Sequence, residues 1–295
     1  MSTATAEQRA KAVDQAIREI SHIATLPEVT LKIIELVEDP SSTAQDLHNV
    51  ISSDPALCSR ILKVVNSSFY GLPGQIASIN RAIVLLGLNA VKNIAIAASL
   101  AKLFRGGDVT PAFNAKDLWT HCNAVGTAAK VIADMLRIGN SDEAYLAGLT
   151  HDIGIMVMMQ YDRSKLAEVI DMTGADHEGV PANDMLDIEL RVFGATHEDF
   201  GQALCKKWKF PDVFTHVTGR HHHPLEMPSD ARKVPCVIYV ADRVAARLGH
   251  GFRLDLPTND IDPAVLEHLN MTEHQVEEVM NKVQEHMEAE GALPL

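Results

Sequence analysis

Apolar residues return every three or four positions through most of this chain, and that period leaves little room for anything but a helical fold. The stretch "LPEVTLKIIELVED" places Val29, Ile33, Ile34 and Val37 on one face, with Pro27 opening the helix. "SSTAQDLHNVI" restarts the pattern after Pro40. In "SSDPALCSRILKVVNSSFYG", Asp54 is placed to cap a helix that begins with Pro55, and Leu57, Ile61, Leu62 and Val65 make its stripe. "SINRAIVLLG" and "NAVKNIAIAASLAKLF" complete a first cluster of short helices. Strand-type alternation never lasts beyond a few residues, and no internal repeat is visible. Aromatic residues make up only 5% of the chain, while Ala, Leu, Ile and Val are plentiful, a mix that favours helices over sandwiched sheets.

The Gly/Pro-rich stretch "RGGDVTPAFN" breaks the pattern and marks a module boundary. Longer helical patterns follow in "AKDLWTHCNAVGTAAKVIADML", "AYLAGLTHDIGIMVMMQYDR", "HEDFGQALCKKWKF", "PDVFTHVTGRHHH" and "VPCVIYVADRVAARLG". A connector, "DLPTNDIDP", leads to a last amphipathic helix, "TEHQVEEVMNKVQEHME", expected to cap the core. The expected architecture is all-α: a helical extension at 1–19, an N-terminal sub-bundle at 20–107, a second helical core at 108–252, and a connector with its helix at 253–295.

The net charge of −13 repels a phosphate backbone, so no nucleic-acid polymer is expected as partner. Cys58, Cys122, Cys205 and Cys236 sit among apolar neighbours without C-x-x-C spacing, and read as small core residues of a reducing compartment. The opening residues carry no leader pattern, and no apolar run is long enough to span a membrane. These features together predict a cytoplasmic protein with no membrane partner.

Ionisable side chains nevertheless intrude on faces that should be buried. His151 and Asp152 lie inside "LAGLTHDIGIMVMMQY", one of the most apolar runs of the chain. His121 shares the stripe of Leu118 and Val125, and Asp242 lies four residues after Ile238 and three before Ala245. His197 falls in the first turn of a helix opened by the capping-box string "THED", and His221 and His222 precede Pro224. Imidazole and carboxylate are the ligands that first-row divalent metals take, and a metal supplies the charge that makes their burial tolerable. Seven donors exceed what one tetrahedral ion needs. They suit one or two ions of Fe, Mn, Ni or Zn, with Asp152 as the natural bridge. Taken singly, each residue also has an ordinary reading: a hydrogen-bonded core His, a His triplet favouring a helix C-terminus, or an Asp242 paired with Arg243 or Arg247.

The order of these residues along the chain is informative. A first His, a His-Asp doublet, a third His, a His-His doublet and a late Asp resemble the HD superfamily of metal-dependent phosphohydrolases. The strings "LPEVTLKIIELVEDP", "ISSDPALCSRILKVVNSSFYG", "SINRAIVLLGLNAVKNI" and "THEDFGQALCKKWKFPDVFTHVTGRHHHP" resemble the HDOD family, the HD-related output domain of bacterial signalling, over roughly residues 20 to 250. The resemblance implies an all-helical signalling domain. By similarity to the dinuclear HD-GYP phosphodiesterases, it also implies one ion on His121, His151, Asp152 and Asp242 and a second on Asp152, His197, His221 and His222.

Two departures bear on activity. HD-GYP enzymes continue the doublet as "HDIGK", whereas this chain has "HDIGI" with Ile155, and "LEMPSD" stands where the GYP motif would follow. The resemblance therefore points to a signalling output or adaptor module that binds metal and signalling protein partners. The alternative is a metal-dependent phosphohydrolase acting on a nucleotide or related phosphoester, with His151 and Asp152 as its catalytic residues. In that case Arg220, His223 or Lys233 are candidates to meet a substrate phosphate, on chain proximity alone. No fused receiver or GGDEF-like segment is visible, so the input is expected from another protein.

Overall fold

Most helices in this chain begin where a side chain takes up an otherwise free backbone N–H group. The computed structural model describes residues 5–20, 27–67, 70–104, 107, 109–177 and 179–290. Thr5 and Gln8 form a capping box on α1 (Ala6–Glu19), Pro27 precedes α2 (Glu28–Glu38), and Thr43 caps α3 (Ala44–Ser52). Asp54 accepts from the Leu57 N–H at the start of α4 (Pro55–Val65), with Pro55 in the first turn as the sequence predicts. Ser78 caps α5 (Ile79–Leu86), and α6 (Leu88–Leu100) follows directly. Asn114 and Asn140 cap α7 (Ala115–Leu136) and α8 (Ser141–Thr150). Next come α9 (Ile153–Tyr161), α10 (Arg163–Thr173) capped by Asp162, and α11 (Met185–Val192) capped by Asp184. The Thr196–Asp199 capping box opens α12 (His197–Lys207). The chain continues through α13 (Asp212–Arg220), α14 (Lys233–Arg247), α15 (Pro263–Leu269) and α16 (Glu273–Glu290). Among the described residues, the only strand-like pairing is a lone bridge between Thr110 and Phe113.

The expected all-α fold is what the chain adopts, with one correction that matters for the site. "AYLAGLTHDIGIMVMMQYDR" reads as a single helix, but the structure breaks it at His151 and Asp152. Asp152 leaves helical geometry (φ −97°, ψ 16°), and α9 starts after it at Ile153. Gly154 allows the break, because its backbone lies directly against α12: a Cβ there would sit 1.9 Å from the His197 carbonyl oxygen. Tertiary packing thus overrides a continuous apolar run that is locally content to be helical. Similarly, α13 ends at Arg220, so the His triplet lies just past the helix rather than on its last turn.

At the centre of the fold, α7 packs on α8, α14 and α16, while α12 packs on α9 and α13. Helices α2, α4 and α5 join this core through α6, which also packs on α8, while α1 packs directly on α12 and α9. Buried apolar side chains run continuously from Val13 to Met287. Val276, Val279, Val283 and Met287 turn α16 inward, so the last helix covers the core as expected. Cys122, Cys205 and Cys236 are buried and unbonded, whereas Cys58 is half-buried. Among the described residues, no helix is long and apolar enough to cross a membrane.

Candidate metal centre

Five helix-bearing segments deliver the seven predicted donors to one place. His121 sits on α7, and His151 and Asp152 occupy the break between α8 and α9. His197 opens α12, His221 and His222 follow α13, and Asp242 lies within α14. Six of the seven have no solvent exposure and His222 has 7%, so water cannot stabilise their charge. Their donor atoms form two adjoining groups, each with all its atoms within 4.8 Å of one another. One is His121, His151 and Asp242; the other is Asp152, His197, His221, His222 and a residue not foreseen, Asp255.

Asp152 faces both groups with different oxygens. Its Oδ2 lies 3.3 Å from His151 Nε2 and 4.0 Å from His121 Nε2. Its Oδ1 lies 3.3 Å from His221 Nε2 and 3.6 Å from His197 Nε2. His197 Nε2 is also 3.1 Å from His222 Nε2 and 3.4 Å from His221 Nε2. Two donors bound tetrahedrally to one ion at about 2.0–2.1 Å lie about 3.3–3.4 Å apart, close to these spacings. His121 Nε2 approaches Asp242 Oδ1 at 3.2 Å without hydrogen-bond alignment.

A surrounding layer fixes the ring orientations. The Nδ1 atoms of His151 and His221 lie 2.6 Å and 3.1 Å from the carbonyls of Gly148 and Val217. His197 Nδ1 lies 2.9 Å from Glu189 Oε1, and the same carboxylate accepts the His197 backbone N–H. With Nδ1 donating in all three rings, Nε2 is the nitrogen turned into the cluster, and it becomes the ligand atom a metal requires once any proton on it is displaced. Glu198 accepts from the His222 backbone N–H. Sequence reasoning missed Glu189, Glu198 and Asp255. Glu189 lies on α11, a helix not read from the chain, and Glu198 was absorbed into a capping box. Asp255 sits in what reads as a connector; its only local signal is the flanking pair Leu254 and Leu256.

The electrostatics are those of a crowded, dry site. Burial pushes the Asp152 carboxyl up, but the rings of His151, His221 and His197 hold it well below the usual carboxylate range. Burial likewise opposes charge on His197, yet Glu189 raises that ring to about 10. Burial lowers His221 to about 4 and takes His222 well below the ordinary imidazole value, with neighbouring rings adding to the effect on His222. Asp255 is pushed well above its ordinary value by burial and by Asp152 and Asp242. Burial raises Glu198 to about 7.

Both oxygens of Asp152, Asp242 and Asp255, both ring nitrogens of His121 and Nε2 of His151 make no hydrogen bond. Buried polar atoms are ordinarily paired, and a concentration of unpaired carboxylate and imidazole atoms at one point is what a bound cation would resolve. The residues therefore fit a divalent metal. The ordinary readings account for less: Arg243 does approach Asp242 Oδ2, at 3.8 Å, but leaves both oxygens without a hydrogen bond. Arg220, His223 and Lys233 are exposed rather than turned into the cluster, and Ile155 is buried in the core.

The HDOD domain family matches residues 23–224, more than half of the chain. A curated uncharacterized protein of Treponema pallidum (strain Nichols) is 25% identical over 227 residues, 76% of this chain. The chain spans 42% of that relative's length. Among solved structures, an HDOD domain protein from Geobacter sulfurreducens superposes with a TM-score of 0.73 at 23% identity, covering 96% of this chain and 99% of its own. A protein from Shewanella amazonensis SB2B, provisionally named a phosphohydrolase, gives 0.72 at 19% identity, covering 96% and 97%. A protein from Marinobacter aquaeolei VT8, provisionally named a signal transduction protein, gives 0.71 at 20% identity, covering 96% of this chain and 64% of its own. At such identities the structural likeness concerns the fold. With the family match running from the N-terminal helices through the His-His doublet, the chain belongs to the HDOD family.

Proposed function

We propose that this chain is a bacterial signal-transduction output or adaptor protein whose core is organised by a buried divalent-metal site for up to two ions. One ion would be held by His121, His151, Asp152 and Asp242, the other by Asp152, His197, His221 and His222. The observation that carries the reading is closure: every donor is buried, and the position after Gly154 offers an apolar Ile155 where a phosphate-binding cation would be useful. The chain's own residues would then serve to hold the helices α7, α8, α12, α13 and α14 in one arrangement. The N-terminal helices would present the surface read by a signalling protein.

A second reading, a metal-dependent phosphohydrolase acting on a nucleotide or related phosphoester, is favoured by the completeness of the donor set and by Asp152 facing both groups. Bound divalent ions would there supply Lewis acidity toward a phosphoryl oxygen and a water of lowered pKa. Asp152 would keep the two groups in register, and His151 would be fixed by its Nδ1 contact with Gly148.

Elemental analysis of protein prepared in metal-free buffer and reloaded with Fe, Mn, Ni or Zn tests the metal site. Wild type should retain stoichiometric metal and Asp152→Ala should retain none. No metal under any loading condition would sink the site in both readings. A screen of phosphodiesters and nucleotides with the loaded protein then separates them: absence of turnover supports the signalling reading. Turnover abolished by His151→Ala replaces it with the hydrolase.

A further inference from the structure

We propose that Asp255 is an eighth metal ligand, supplied by the connector between α14 and α15, and that it gives the second ion a fifth protein donor from outside the helical core. The inference rests on the metal reading above and concerns a residue beyond the seven-donor pattern.

Asp255 belongs to no helix, yet it is only 2% exposed. Both its oxygens lack a hydrogen bond, and Oδ2 lies 3.4 Å from His222 Nε2. A connector carboxylate is ordinarily in water, so an inward position without a hydrogen-bonding partner requires a reason.

The connector is anchored on both sides of Asp255. Before it, Gly251 lies so close to α7 that a Cβ would collide with the Asp117 carbonyl oxygen and fall 2.8 Å from the His121 backbone nitrogen. Phe252 sets its ring edge-on to Phe113, with centroids 5.5 Å apart, and 6.2 Å from the His121 ring. After it, Arg243 Nε donates to the Asp260 carbonyl and Arg247 Nε to the Asn259 carbonyl. The Asp262 N–H reaches Tyr239 Oη. Leu254 and Leu256 are buried on either side. Asp255 is thereby directed at His222 by contacts that do not involve Asp255 itself. Arg243, which holds the connector, also lies 3.8 Å from Asp242 Oδ2, so the two groups share this anchor.

With Asp255, the second group offers five donors. Catalytic metal sites keep a position open for water or substrate, whereas structural sites are filled by protein. Asp255 would fill a coordination position that a water or phosphate oxygen could otherwise take, so an incoming anion would have to compete with it. No bond is made or broken beyond this exchange of one oxygen ligand for another.

The test compares wild type, Asp255→Asn and Asp255→Ala, loaded with Mn²⁺ alone, by metal stoichiometry, competition with a chelator and water-proton relaxivity. Wild type should bind two ions and carry less exchangeable water than Asp255→Ala. Asp255→Asn should retain one tight ion and weaken the other by at least about tenfold, and Asp255→Ala should raise the relaxivity. Unchanged affinity and unchanged relaxivity in both variants overturn the proposal. If Asp255→Ala fails to fold, Asp255→Asn still decides, because unchanged chelator competition in that variant also overturns it. Wild type that binds no Mn²⁺ overturns the underlying metal reading as well, an outcome distinct from two ions bound without help from Asp255.

Discussion

The N-terminal helices α2–α6 and the core helices α7–α14 bury polar groups in opposite ways. In the N-terminal region, Lys92 is almost wholly buried, and its Nζ donates to the Leu36 carbonyl and to Ser42 Oγ, 2.6 Å away in the latter case. Asn66 likewise bonds Leu62 and Ile76 through its amide group. The unpaired buried atoms described there, Thr30 Oγ1 and one ring nitrogen of His48, lie on different helices. In the core, the unpaired atoms of His121, His151, Asp152, Asp242 and Asp255 converge. Among its described residues the first region leaves only scattered single atoms unpaired, whereas the second gathers unpaired carboxylate and imidazole atoms that a cation or protons would satisfy. This difference separates a self-paired helical region from a candidate metal site.

The largest expected effect comes from destroying the geometry that creates the site. Gly154→Ala forces a methyl into the His197 carbonyl. It should destabilise the protein by more than about 4 kcal/mol or prevent folding, as read from urea unfolding. A loss below about 1 kcal/mol would show that α9 and α12 can separate cheaply.

A gentler perturbation sharpens the contrast. Glu189 touches His197 but no other donor that would share the ion with it. Glu189→Gln should weaken metal binding by about 10- to 100-fold, with the secondary structure intact by circular dichroism. Unchanged metal affinity would reduce Glu189 to a packing residue.

Proton release is the next readout. His197, raised to about 10 in the metal-free protein, carries a proton at pH 7 that a metal must displace. Asp152, held well below the usual carboxylate range, is already ionised and contributes none. Burial opposes charge on His151 too, but Asp152 holds that ring well above the ordinary imidazole value, so it adds a second proton. Metal affinity should therefore rise with pH by up to about tenfold per unit per released proton. Calorimetry in buffers of different ionisation enthalpy should show the release, and buffer-independent heats at pH 7 would contradict it.

The smallest effect belongs to the other region. Lys92→Met removes the donor shared by Leu36 and Ser42. It should cost about 1 kcal/mol in urea unfolding while metal content stays at the wild-type value. Metal loss in this variant would couple the two regions more tightly than their separate polar arrangements imply.

Local information in the chain determined much of the fold and part of the site. Helical periodicity and the caps at Asp54 and Thr196 act over a few residues, so their helices can be read directly. The seven candidate donors stand out in the sequence because Asp and His on apolar stripes violate burial preferences, and because their order resembles that of the HD superfamily. Tertiary structure alone decided the break at His151–Asp152, since the cause is the approach of α12 to Gly154 from more than forty positions along the chain. It also decided the parts of Glu189 and Asp255. An acidic residue on an unrecognised helix and another in a connector look solvated in any local window. They become buried partners of His197 and His222 only when α11 and the segment after α14 fold back onto the core.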